Sequence, residues 1–424
     1  MAQGTSSHSQ AFLRARRWSL GAVMFCYLFY YTGRQTFGFA IPGIQAELGI
    51  DKQTLGWISA AMLWAYAAGQ MINGNLGDKF GGRRMMFLGA FSSFALNWLT
   101  SFGIGFKSLA TAWGLNGLAQ SMGWAPGSRL VSNWFGAHER GRAFGLYVLA
   151  AGLSSVLSFA TSLVVLDVLQ LDWRWIFRLP VFLMLLGGLV VWIVARDKPA
   201  DAGFPDTHED EKVFDPEAVK ESSWQRYAAA LKNGRLLLAG FAIGFQNTVR
   251  YGLLIWVPVY FLGDDFKADP LGKWISIALP IGMALGAVTS GWISDRFCDS
   301  RRSGVIASFM ILAAVAAMGM YLLPPGHRLG VPVLFLAGFF AYGPQSAFWA
   351  LAPDLLGRER AGTAVGVMNF FAYAMAGLGE PFIGWMIQRN PFATTPGVES
   401  VALVFPLVAA FAVCSAVLAL LIRR

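Results

Sequence analysis

Two arginines, Arg34 and Arg250, lie inside long apolar runs of the chain. A guanidinium held at the depth of bilayer hydrocarbon costs roughly 2.5 to 3.5 kcal/mol even on insertion scales, so each needs a cavity together with a partner or a function. Each offers a planar fork of donors that fits a phosphate, sulfonate or carboxylate, and two such forks would bracket one small dianion. The competing reading pairs each with a protein carboxylate. Tyr27 and Tyr31 precede Arg34 at spacings that put all three on one face of a helix. Their hydroxyls, with those of Tyr342 and Tyr373, can donate to an anion without adding charge, although aromatic side chains in membrane helices also serve as packing. Arg129 sits nearer the end of its run, where snorkelling is cheap, and reads as structural. Glu380 is the carboxylate placed inside an apolar run, two helical turns after Tyr373 on the same face. It either carries a coupling proton or is a hydrated ion-pair partner near the external end.

Other chemistry is poorly supplied. The three cysteines, Cys26, Cys298 and Cys414, form no CxxC or Cys/His cluster, so no metal and no redox centre is expected. His8, His138, His208 and His327 all fall in tails or loops, which leaves no histidine for a proton relay or a catalytic triad. The Gly-rich stretches around Gly286 and Gly384 follow no strand and allow close helix approach instead of phosphate cradling. No cofactor and no enzyme activity is expected. A formal charge of +9 could suggest nucleic acid, but the basic residues are scattered between apolar runs, so no nucleic-acid partner is expected.

The elements that must hold these residues are membrane helices. With 56% hydrophobic and 13% charged residues and a mean hydropathy of +0.51, the chain has about half the charge of a soluble protein. Twelve runs reach the length of about 20 residues that a bilayer requires. They lie near 18–40, 54–73, 85–106, 109–134, 143–166, 175–195, 236–262, 274–293, 303–323, 330–352, 362–387 and 400–422. The first follows Arg14, Arg16 and Arg17, lacks a small-residue cleavage site and is expected to stay as span 1. Most of the 33 lysines and arginines fall on the cytoplasmic side if both termini are inside, which sets the expected orientation. The expected organisation is a cytoplasmic tail (1–17), a six-helix bundle (18–195), a cytoplasmic linker (196–235) and a second six-helix bundle (236–424).

The two bundles are repeats. Gly74-x-Leu76-x-Asp78-Lys79-Phe80-Gly81-Gly82-Arg83-Arg84 after span 2 matches Gly291-x-x-x-Asp295-Arg296-Phe297 with Arg301-Arg302 after span 8. Glu139-Arg140 pairs with Glu359-Arg360, and Arg34 with Arg250, all at one offset of about half the chain. Such repeats place a substrate near the midplane between two halves that rock around it. Asp78, Arg83, Arg84 and Asp295 would then hold the cytoplasmic helix ends together in one state. The plainer reading makes Lys79, Arg83 and Arg84 topology anchors only.

This motif resembles the signature loop of the major facilitator superfamily. Within it, Tyr27, Tyr30-Tyr31, Arg34, Gln120-Ser121-Met122-Gly123-Trp124-Ala125-Pro126 with Arg129, Arg250-Tyr251-Gly252, Trp256-x-Pro258, Tyr342-Gly343-Pro344 and Ala361-Gly362-Thr363-Ala364 with Tyr373 resemble the organophosphate:phosphate antiporters. The resemblance implies an all-α membrane protein of twelve transmembrane helices in two pseudo-symmetric bundles, with the two arginines on a phosphoryl group. It also implies a site at Gln70 and Ala151, where glycerol phosphate carriers have a lysine and a histidine. Two cationic groups fewer favour a monoanion or a weakly basic dianion, such as a phosphonate, sulfonate or carboxylate. The expected function is a monomeric secondary transporter of a small organic anion in the inner membrane, working by alternating access with a proton or counter-phosphate as coupling ion. Two alternatives stand beside it: a proton-coupled carboxylate or sugar-acid symporter similar to the anion:cation symporters, and a transporter-like sugar phosphate sensor.

Overall fold

The computed structural model describes residues 9–50, 52–205, 221–262, 270–297, 302–323, 327–389 and 400–422. Its first half contains α1 (Gln10–Tyr30), α2 (Phe37–Leu48), α3 (Lys52–Phe80), α4 (Gly82–Ser101), α5 (Phe106–Trp134), α6 (Ala137–Leu163), α7 (Arg174–Arg178) and α8 (Val181–Val194). A short connecting helix, α9 (Ser223–Lys232), leads into α10 (Gly234–Leu262), α11 (Pro270–Phe297), α12 (Arg302–Leu322), α13 (Gly330–Tyr342), α14 (Gln345–Leu356), α15 (Ala361–Arg389) and α16 (Val404–Leu421). Among the described residues there is no strand. The architecture is twelve membrane spans in two halves, several of them built from two helices in series.

Each interruption has a local cause. Span 1 divides at a 3-10 turn, Tyr31–Gly33, so the continuous helix expected over 18–40 is α1 followed by α2. Span 6 divides at Pro180, which supplies no N–H to the ladder, and span 10 divides at Gly343-Pro344 for the same reason. Span 5 runs on from α6 into a π-turn at Val164–Val168. The helix of span 1 also begins earlier than expected, at Gln10, where the Ser9 hydroxyl accepts from the Phe12 N–H. Six helices among the described residues are long and apolar enough to cross a membrane by composition alone. Span 2 falls outside that set because it carries polar residues such as Gln70, Asn73, Asn75 and Asp78 along its length.

Within the halves α3 packs on α5 and α10 on α15; between them α3 meets α15 and α6 meets α11. These contacts depend on glycine. A Cβ added to Gly74 would strike the Gly362 carbonyl, and one on Gly291 would strike the Gly141 carbonyl. The two pairs are related by the internal repeat and let the backbones of opposite halves touch.

Candidate functional site

Arg34 owes its place to the break in span 1. Opening a helix in hydrocarbon frees backbone groups that cost several kcal/mol each unless other groups satisfy them. Here the Gly33 carbonyl accepts from the amides of both Asn97 (3.0 Å) and Asn116 (2.7 Å). The Tyr31 carbonyl accepts from the Ser158 hydroxyl at 3.0 Å, and the Tyr31 N–H donates to the Ser154 hydroxyl at 3.0 Å. Ser93 ties the amides together by donating to Asn116 Oδ1 at 2.6 Å while accepting from Gln120 Nε2 at 2.7 Å. A Cβ at Gly33 would meet the ends of the Gln120 and Met184 side chains, which would have to shift to admit it. The turn sends Arg34 sideways, with its guanidinium carbon 4.0 Å from the Tyr31 ring centre and 4.6 Å from that of Tyr66. The spacing predicts one continuous helix through Tyr27, Tyr31 and Arg34; in the structure the 3-10 turn, and not a shared helix face, brings Arg34 onto Tyr31.

Arg250 arrives from the opposite half on α10. Its guanidinium carbon lies 4.4 Å from the Tyr342 ring centre and 5.1 Å from that of Tyr251. Its Nε is buried and has no hydrogen-bond partner. Among the described residues no carboxylate pairs with either arginine. Tyr27, Tyr31, Tyr342, Tyr373 and Arg250 line one cavity between the halves; Arg34 is not itself among the lining residues but stacks on two of them, Tyr31 and Tyr66. The cavity as it stands admits little more than a water molecule, because its rings close on one another. Trp124 of one half meets Trp349 of the other with ring centres 5.6 Å apart, and Tyr66 meets Tyr373 at 5.0 Å. An organic anion can sit between the arginines only when these rings separate.

Other candidate residues lie elsewhere. Gln70 does not line the cavity: its Nε2 donates to the Ser121 carbonyl at 3.3 Å in the packing of α3 on α5. The expectation that it faces the anion is corrected, since α3 turns that side chain into its own half. Ala151 does line the cavity. The Glu380 backbone belongs to α15, but its side chain lies outside the described residues. Six lining residues were not singled out as candidates: Tyr66, Trp124, Asn247, Gln345, Trp349 and Asn369. Two of them carried a signal, Trp124 in the span 4 motif and Gln345 directly after Tyr342-Gly343-Pro344. The rest are ordinary polar or aromatic residues within apolar runs.

A second constellation closes one end of the molecule. Asp78 on α3 accepts from the Gly362 N–H (2.8 Å), the Thr363 N–H (2.7 Å) and the Thr363 hydroxyl (2.6 Å), capping the first turn of α15 in the other half. Arg129 lies 3.7 Å from Asp78 and donates to the Arg358 carbonyl. The repeat places a second aspartate in the same role: Asp295 on α11 accepts from the Arg142 N–H at 2.7 Å in the second turn of α6 and pairs with Arg302. Arg140 and Arg302 share Asp354, at 2.7 and 3.3 Å. Arg83 behaves differently. Its Nε donates to the Trp192 carbonyl at 2.7 Å and its N–H to Asp197 at 2.8 Å, all inside the first half, while Arg84 is exposed. The cross-half contacts expected of Arg83 and Arg84 are made by Arg129, Arg140 and Arg302 instead, because Asp197 and α8 hold the loop after α3 against its own half. Burial pushes the Asp197 carboxyl up, against the Arg83 N–H.

The family pattern of the Major Facilitator Superfamily matches residues 23–380. A glycerol-3-phosphate transporter of Bacillus subtilis is 28% identical over 400 residues, covering 91% of this chain and 89% of that protein. A probable hexose phosphate transport protein of Chlamydia pneumoniae is 27% identical, covering 86% and 82%, and the membrane sensor protein UhpC of Escherichia coli is 23% identical, covering 88% and 85%. Among solved structures, FucP in the outward conformation superposes with a TM-score of 0.71 at 14% identity, covering 97% of this chain and all of that one. The proton:xylose symporter XylE also superposes at 0.71, with 13% identity, covering 97% and 95%; both likenesses show the fold. Two six-helix halves related by a repeat, a signature loop at Asp78 and relatives of this kind make the chain an integral membrane transporter that belongs to the Major Facilitator Superfamily.

Proposed function

We propose that the chain is a secondary carrier that takes a small organophosphate or phosphonate across the membrane by alternating access, with Arg34 and Arg250 as its anion clamp. One observation carries this reading: two guanidiniums from opposite halves, Arg250 in the cavity wall and Arg34 stacked on the wall residues Tyr31 and Tyr66, have no described carboxylate partner, and Arg250 keeps a bare buried Nε. A buried charge left unpaired is expensive, so the ligand is the missing counter-ion. The tyrosine hydroxyls around it serve as neutral donors. The match to glycerol phosphate and hexose phosphate carriers supports the phosphoryl group, while Ala151 adds no cation to the wall.

The proposed topology puts both termini and the Asp78 end in the cytoplasm, with the halves at 18–195 and 236–424 and the linker at 196–235. Phosphate exchange is the coupling favoured here, since no described carboxylate or histidine lines the cavity. The test is uptake of radiolabelled glycerol phosphate, a sulfonate and a carboxylate into vesicles loaded with phosphate, beside vesicles with an imposed pH gradient. Uptake that requires internal phosphate supports the proposal. Uptake driven by the pH gradient alone assigns the coupling to a proton carrier such as Glu380, and binding without flux assigns a sensor.

A further inference from the structure

The connecting helix α9 carries a face that no described residue covers. It opens with Ser222 and Gln225 capping each other and packs on α3 and α15, the two helices that Asp78 latches together. Arg226, 3% exposed, and Ala230 are buried on its inner side. From there the Tyr227 hydroxyl donates to the Met71 carbonyl of α3 at 3.0 Å, Asn75 of α3 donates to the Ser223 carbonyl at 3.3 Å, and Glu221 pairs with Arg360 at the start of α15. The helix thus spans the seam between the two halves. Its outer side shows Trp224 (83% exposed), Ala228 and Leu231 (47% exposed) at helical spacing, followed by Lys232 and Arg235.

Depth decides what that side meets. Met71 lies nine residues before the end of α3 at Phe80, about 13 Å along the helix axis. A helix bonded at Met71 and Asn75 therefore lies beside α3, below its polar end, and not on top of it in water. Its own C-terminus passes within two residues into α10, which must enter the membrane there. An exposed tryptophan at that depth matches the headgroup zone, where indole rings concentrate, and two adjacent cations match an anionic surface.

We infer that the outer face of α9, continued by the first turn of α10, is an interaction surface for the membrane leaflet at the Asp78 end, with Trp224 and Leu231 in the interface and Lys232 of α9 and Arg235 of α10 on anionic lipid headgroups. The lipid then holds α9 across the seam and favours the closed latch beneath it. This does not rest on the choice of substrate.

The test uses the full chain reconstituted in vesicles, with Cys298 and Cys414 replaced by serine, buried Cys26 kept, and a bimane on Ala228→Cys. Brominated phosphatidylglycerol and brominated phosphatidylcholine are the quenchers, and bimane on exposed Lys198→Cys is the aqueous control. The expected result is quenching at 228 but not at 198, with phosphatidylglycerol preferred at least about fivefold and the preference cut by about that factor in Arg235→Gln, the worth of one cation at an anionic surface. Absence of quenching at 228 puts the face in water, where a soluble partner could reach it, and overturns the inference. Equal quenching by both lipids overturns the anionic assignment. Folding of each variant is checked by unchanged elution from a sizing column.

Discussion

At the residue scale the arginines differ in what holds them. Arg34 is seated on two rings and carried by a turn with satisfied carbonyls, whereas Arg250 keeps an unpartnered Nε. Lysine substitutes charge but not a bidentate fork. Arg250→Lys and Arg34→Lys are each expected to weaken substrate binding by at least about tenfold, the equivalent of 1.4 kcal/mol, at normal expression. Binding isotherms on purified protein check this, and unchanged affinity in both variants would remove the anion clamp. Tyr66→Phe removes one hydroxyl beside Arg34 and is expected to cost severalfold in affinity, about 1 kcal/mol, since the ring that supports the guanidinium is retained.

At the element scale, the turn at Tyr31–Gly33 is the device that turns a membrane helix into a binding element. Asn116 reaches 83 residues back to hold it, and no local sequence signal announces that partnership. Asn116→Leu leaves the Gly33 carbonyl with one amide instead of two and is expected to raise KM for uptake at least about tenfold with a smaller effect on the maximal rate, because the turn it loosens sets the position of Arg34. Asn116→Gln, which keeps the donor, should recover part of the loss. Equal loss of rate and affinity in both variants would instead mark the asparagine as a general packing residue. The same scale explains the glycine seam. Gly74→Val inserts a branched side chain against the Gly362 carbonyl, so the closed contact between α3 and α15 cannot form. Transport is expected to fall to near background, with a Cys pair across the seam at that end no longer crosslinking.

At the whole-molecule scale, the closed end is a set of caps in which each half supplies an aspartate to the other. Asp78 accepts three hydrogen bonds from α15 without a direct role at the cavity. Asp78→Asn replaces one acceptor with a donor and weakens the latch, shifting the balance between the two states and leaving the ligand's own contacts alone. The expected outcome is slower net uptake with substrate affinity changed by less than about threefold. A variant that lost binding yet cycled normally at saturating substrate would contradict the assignment.

The sequence by itself determined the class of molecule, because a bilayer accepts only helices of sufficient apolar length and tolerates a buried arginine only for cause. The repeat at Asp78 and Asp295 announced two halves, and the tyrosines around Arg34 and Arg250 followed from spacing and motif. Tertiary structure decided the rest. Whether Gln70 faces a cavity or its own half depends on how α3 is rotated against α5, a choice made by the packing of Asn73 and Ser121. That Arg129 and not Arg83 crosses between halves depends on Asp197, more than a hundred residues from the loop it restrains. The broken span 1 depends on two asparagines from α4 and α5. Such long-range polar contacts stabilise an opened helix only once the bundle has excluded water, so nothing within the turn's own residues could foretell them.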